Sequence, residues 1–250
     1  MTRCFVNPDQ WNQTDISLST GESHHLLRVL RVRRNKLITV FNGQGQTAEA
    51  EVIKTADKHV RIKILEKTRC TTPRHSVLIS LIQSIPKHSL MNVIIQKATE
   101  LGISAIHPLM TERVIVHLNK QEIQKRRDRW QRIALEAAKQ CGCNWLPEIH
   151  PIVSGDRILR QLSSFDLCFV ASLHRKAKPI REVIKSLNKT MPKTIGMIIG
   201  PEGDFTDEET DSFISAGGIP VSFGPVVLRV ETAAMFGISI LTYEFSDSIS

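Results

Sequence analysis

Ile195-Gly196-Met197-Ile198-Ile199-Gly200-Pro201-Glu202-Gly203-Asp204-Phe205 is the stretch from which the fold can be read. Its apolar first half has the length and composition of a buried strand. Gly200, Pro201 and Gly203 then break it with residues that let main chain approach a bound molecule. Thr206 and Glu209 follow at the spacing of a capping box, so a helix is expected to start there. A strand that ends in a glycine loop and runs into a helix is where open α/β sheets hold ligands, at the carboxyl ends of their strands.

The same alternation extends outward from this point. The strand itself is expected over Thr194 to Ile199, and Val77 to Gln83, Ala105 to Met110, Asp166 to Ala171 and Val221 to Phe223 read as further strands. Ser89 to Leu101, a long segment capped by Asn119 and running to about Gln140, and Pro179 to Leu187 read as helices between them. Ile123, Trp130, Ile133, Ala134, Ala137 and Ala138 recur at helical spacing and mark the buried side of the long one. Such a pattern implies a largely parallel sheet covered on both faces. The last helix, Glu231 to about Tyr243, is apolar nearly all round and must bury itself, inside the domain or against another subunit.

Ahead of Thr71-Thr72-Pro73, a short linker signal, the pattern is different. Leu37 to Phe41, Gln46 to Lys54 and His59 to Glu66 alternate like strands and are separated by turn residues. Ser23 is expected to cap a short helix over His24 to Val32, at whose end Arg28, Arg31, Arg33, Arg34 and Lys36 cluster. Two domains are therefore expected, 1–72 and 73–250. The chain of 250 residues carries a net charge of +8, and residues 1–72 hold 12 Lys plus Arg against 7 Asp plus Glu. A basic balance concentrated in the small front module points to a phosphate-bearing partner such as RNA.

Several classes are disfavoured. No apolar run approaches the roughly 18 residues a membrane span needs, and the opening residues lack the pattern of a secretion signal, so the cytoplasm is the expected location. Five scattered cysteines without a CxxC pair argue against a disulfide framework or structural zinc, and the nine histidines show no metal-ligand spacing, so no metal is expected.

The loop after Ile199 and Leu228-Arg229-Val230-Glu231-Thr232-Ala233-Ala234 together resemble the RsmE family, S-adenosyl-L-methionine-dependent methyltransferases of the SPOUT fold. The resemblance continues through His24-His25-Leu26-Leu27-Arg28-Val29-Leu30-Arg31, Gln96-Lys97-Ala98-Thr99-Glu100-Leu101-Gly102, Thr111-Glu112-Arg113 and Glu136-Ala137-Ala138-Lys139-Gln140-Cys141-Gly142. It implies a PUA-like RNA-binding β-barrel followed by a trefoil-knotted α/β domain, homodimerisation, and methylation of N3 of a uridine in small-subunit ribosomal RNA. It also implies site residues. Leu173, Gly200, Glu202, Gly203, Phe223, Gly224, Leu228 and Thr232 would hold the cofactor. Arg229 would stabilise the uridine anion, and Glu231 would orient it or accept its proton. His25, Arg28, Arg31, Arg33, Arg34 and Arg113 would meet RNA.

Three positions depart from the family pattern. Asp204 stands where a third glycine is common, Val226 where a basic residue precedes the Leu-Arg pair, and Cys143 where an arginine follows the glycine. The last two remove positive charge near the presumed RNA, which keeps a second reading open: a non-catalytic RNA-binding or ribosome-assembly factor on the same fold.

Overall fold

The computed structural model describes residues 2–56, 59–112, 119–187 and 190–246, and the backbone alone at residue 56. The chain divides into two compact units. Met1–Arg74 and Leu135–Leu146 form the first, His75–Ala134 and Pro147–Ser250 the second.

The first unit is built on strands β1 (Arg3–Phe5), β2 (Asp15–Ser17), β3 (Leu37–Phe41), β4 (Gln46–Ala56), β5 (His59–Ile64) and β6 (Cys70–Thr71). They join in the order β1-β3-β4-β5-β2, with β6 also on β4. The β3–β4 turn closes because the Asn42 side-chain oxygen accepts the Gln44 and Gln46 amides, while Gly43 and Gly45 take positive φ. Along β5, Val60, Ile62 and Ile64 point inward to a core with Val40, Ala50, Val52 and Leu26, the period-two pattern of a sheet with one buried face.

Helix α1 (Thr20–His24) has its cap four residues before the expected one. Ser19, not Ser23, accepts the Glu22 amide (3.2 Å). The Ser23 hydroxyl is buried and donates to the Leu18 carbonyl while accepting the Val60 amide. Past α1 the chain makes a π-helical turn, His25–Val29, and ends in Arg31 and Asn35 with positive φ.

The second unit holds β7 (Leu78–Ser84), β8 (Ala105–Met110), β9 (Glu148–Ile149), β10 (Val153–Ser154), β11 (Leu167–Ala171), β12 (Lys178–Pro179), β13 (Thr194–Ile199) and β14 (Ile219–Ser222). Every pairing among them is parallel, in the order β10-β8-β7-β13-β11-β14-β12, with β9 beside β8. The short strands β9, β10 and β12 and helix α4 have no counterpart in the sequence reading.

Helices connect the strands: α2 (Leu90–Glu100), α3 (Lys120–Cys141), α4 (Gly155–Gln161), α5 (Ile180–Ser186), α6 (Asp207–Ser215) and α7 (Val230–Phe245). Alternate residues of one strand feed two cores. Ile195, Met197 and Ile199 of β13 join the cluster with α2, α7 and Trp130 of α3. Ile198 joins the other, with Ile158 of α4 and Phe213 of α6. A sheet buried on both faces explains why its strands read as unbroken apolar runs. At Gly196 a Cβ would lie 2.9 Å from the Cys168 sulfur, so only glycine fits under the second core.

In this unit both expected caps form. Thr206 and Glu209 make a reciprocal capping box on α6, and Asn119 and Glu122 exchange the same pair of bonds at the start of α3. Helix α7 buries Val230, Ala234, Gly237, Ile238, Leu241 and Phe245 within this unit, yet leaves Phe236 and Tyr243 exposed. No helix among the described residues is long and apolar enough to cross a membrane.

Candidate functional site

Strands β11, β13 and β14 lie side by side and end at the same edge of the sheet, since Ala171 is paired with both Ile199 and Val221. The loops that follow them, with the start of α7, enclose a cavity of about 640 Å³. Its wall is largely apolar: Leu173, Ile199, Val221, Phe223, Leu228 and Val230 line it, with loop main chain from Gly200 to Asp204 between them. Such a size and lining suit a small organic ligand.

The loops after β11 and β13 are held by side-chain oxygens. Asp204 takes φ +58, a conformation aspartate tolerates better than most L-residues. Its Oδ2 accepts the Leu173 amide (2.9 Å) and lies 3.4 Å from the Ser172 hydroxyl, and its Oδ1 accepts the Phe205 amide (2.8 Å). Glu202 Oε1 accepts the Lys87 amide (2.7 Å) from the loop after β7. Gly224 adopts φ +119, which an L side chain would strain. Gly237 has another purpose: a Cβ there would sit 3.0 Å from the Phe223 ring and 3.1 Å from Met197, so its absence lets α7 close on the floor of the site.

Arg229 is the N-cap residue of α7, with extended backbone and an exposed side chain. Glu231, half-buried, stands in the first turn, where the helix dipole favours a carboxylate. Both line the cavity, and among the described residues neither takes an ion-pair partner. A free guanidinium beside an apolar ligand site can hold and stabilise an anion at low cost in reorganisation.

Of the residues expected to hold a cofactor, Leu173, Gly200, Glu202, Gly203, Phe223, Gly224 and Leu228 line the cavity. Thr232 does not: it is exposed on α7, outside the lining. Sequence reading missed Ser172 and the part Asp204 plays, because a loop-to-loop bond across 31 residues leaves no local pattern. Val226 is exposed at the cavity and brings no charge to it.

In the first unit Arg28, Arg31, Arg33 and Arg34 are all exposed without ion-pair partners among the described residues, and His25 is half-buried. Arg113 lies outside the described residues. At Cys143 the thiol donates to the Trp145 carbonyl, and burial pushes its pKa up. A cation nevertheless occupies this turn: the Arg3 guanidinium donates to the carbonyls of Gly142 (2.6 Å) and Cys143 (3.2 Å) and to the Asn144 side chain (2.7 Å). Among the described residues no group of three metal-ligating side chains occurs.

Comparison with known proteins adds two domain matches. Residues 73–242 match an RNA methyltransferase domain and residues 18–65 an RNA methyltransferase PUA domain. The chain is 32% identical over 232 residues to Ribosomal RNA small subunit methyltransferase E of Synechocystis sp., covering 92% of this chain and 74% of that one. Two solved structures align over nearly their whole length. One, from Legionella pneumophila and described in complex with the bound cofactor SAM, has a TM-score of 0.89 at 31% identity, covering 99% of this chain and 100% of that one. The other is Ribosomal RNA small subunit methyltransferase E from Neisseria gonorrhoeae bound to S-adenosyl methionine, with a TM-score of 0.86 at 31% identity and 99% coverage of both.

Proposed function

Because the chain belongs to the ribosomal RNA small subunit methyltransferase E family of RNA methyltransferases, we propose that it methylates N3 of a uridine in small-subunit ribosomal RNA, using S-adenosylmethionine. The cavity at the ends of β11, β13 and β14 carries this reading, with Arg229, unpaired among the described residues, at its side. The residues present fit the cofactor. Leu173, Val221, Phe223 and Leu228 offer an apolar surface to a flat base, and the turn at Gly200 to Gly203 offers main-chain donors and acceptors with little side-chain bulk in the way. When bound, S-adenosylmethionine supplies an electrophilic methyl group on a sulfonium sulfur.

Uridine N3 carries an imide proton that must leave, so a cation that stabilises the resulting anion lowers the barrier. Arg229 is the residue for this task, and Glu231, on the first turn of the same helix, orients the base or takes the proton. The exposed arginines at 28, 31, 33 and 34 bind the RNA backbone through phosphate neutralisation. The active species is a homodimer, for which Phe236 and Tyr243, exposed on the apolar helix α7, provide contact surface. Its substrate places it in the cytoplasm.

Titration calorimetry with S-adenosylmethionine separates this reading from a non-catalytic RNA-binding factor. One saturable site per chain is the expected result. No binding at millimolar cofactor would retire the enzymatic reading and leave the RNA-binding one.

A further inference from the structure

We propose that Asp204 is a positioning residue for the methyl donor: its carboxylate ties the loop after β11 to the glycine loop after β13, and so presets the mouth of the cavity before anything binds. This rests on the reading that the cavity takes S-adenosylmethionine.

Four observations lead to it. The backbone at residue 204 is left-handed (φ +58), where glycine is the easiest choice and an aspartate side chain must have its own reason to be present. That side chain is fully engaged: Oδ2 accepts the Leu173 amide at 2.9 Å and stands 3.4 Å from the Ser172 hydroxyl, while Oδ1 accepts the Phe205 amide at 2.8 Å. The Ser172 hydroxyl in turn accepts the His174 amide (3.0 Å), so one carboxylate governs Ser172 through His174 directly or through one intermediary. Finally, Leu173 is 62% exposed between Ser172 and the His174 side chain, both buried, so its own side chain does little to hold it and the hydrogen bond from its amide to Asp204 is its tether.

Bonds from main-chain amides to an ionised carboxylate are stronger than those between neutral groups. A loop already fixed in place does not have to be ordered when the ligand arrives, and the saving appears in affinity. Asp204 therefore acts on donor binding and leaves the chemistry at Arg229 alone.

Three variants separate tether from backbone. Asp204→Gly relaxes the left-handed backbone but removes the carboxylate; calorimetry should show donor affinity weakened about ten-fold, with kcat at saturating donor within about two-fold of wild type. Asp204→Asn keeps one acceptor and tolerance of this backbone, so affinity should return to within about three-fold of wild type. Asp204→Ala should bind no better than the glycine variant and melt at a lower temperature.

Hydrogen exchange supplies a readout that needs no cofactor: the Leu173 amide should exchange faster in Asp204→Gly than in wild type, and in Asp204→Asn it should remain protected. Wild-type donor affinity in Asp204→Gly, unchanged exchange at Leu173, or equal losses in the glycine and asparagine variants would each overturn the proposal. Wild-type protein that binds no donor at all would instead overturn the cofactor reading, and this inference with it.

Discussion

Arg229 is exposed, unpaired among the described residues, and set at the N-cap of a helix whose N-terminus is itself electropositive. Among the described residues no carboxylate pairs with its charge, which leaves it available to a ligand. Replacing Arg229 with alanine should abolish methyl transfer while leaving S-adenosylmethionine affinity within a few-fold, measured by calorimetry beside a radiolabel assay; full activity in the variant would remove it from the mechanism. Lys139 presents the opposite case. Its ammonium is buried, 2.8 Å from buried Glu22 and 2.6 Å from Glu136, and the other Glu22 oxygen accepts the Phe5 amide. Lys139→Ala strands the Glu22 charge and should destabilise the first unit by about 3 to 5 kcal/mol, read from urea denaturation; a loss under 1 kcal/mol would contradict this account. Arg229 could be singled out from the sequence because it sits within a recognisable string. Lys139 lies within such a string too, but its burial could not be foreseen, because the partner that explains it is 117 residues away.

At the level of elements, what could be read in advance was whatever local chemistry decides. Thr206 and Glu209 cap α6 with bonds that span three residues, so the sequence announces them. Thr206→Ala should cost about 1 kcal/mol, visible as a lower denaturation midpoint, and Thr206→Ser should recover most of it. Ser23 shows the limit of the same reasoning. It has the right chemistry for a cap, but the Val60 amide of a distant strand claims its hydroxyl, and Ser19 takes the capping position instead. Central strands such as β8 and β13 matched their expected bounds because both faces are buried and the apolar run is the strand. The two-residue strands β9, β10 and β12 are too short to carry any period. The cavity falls between these cases: its glycine loops were legible, whereas the bonds from Asp204 and Glu202 that fasten them are tertiary.

For the molecule as a whole, pH provides a test of packing. His107 lies flat against His150 (centroids 4.0 Å apart, planes within 10°) and edge-on to Phe165. Burial, reinforced by His150, holds its pKa down to about 4, against 6.5 ordinarily. The unfolded chain therefore takes up this proton first as pH falls. His107 costs no stability above about pH 6.5, and stability is lost as pH falls from there toward 4. Between pH 7 and pH 5 its share of the loss should be about 1 to 2 kcal/mol, and His107→Phe should flatten the profile; an unaltered profile would show that the histidine is not protected as the packing implies. The proposed function draws on the whole chain, because the exposed arginines at 28, 31, 33 and 34 and the cavity belong to different units. Its most direct test is to incubate the purified protein with small ribosomal subunits, or the RNA extracted from them, and isotopically labelled S-adenosylmethionine, then digest to nucleosides for mass spectrometry. Label in N3-methyluridine is the predicted result; label in another nucleoside, or in none, would contradict it.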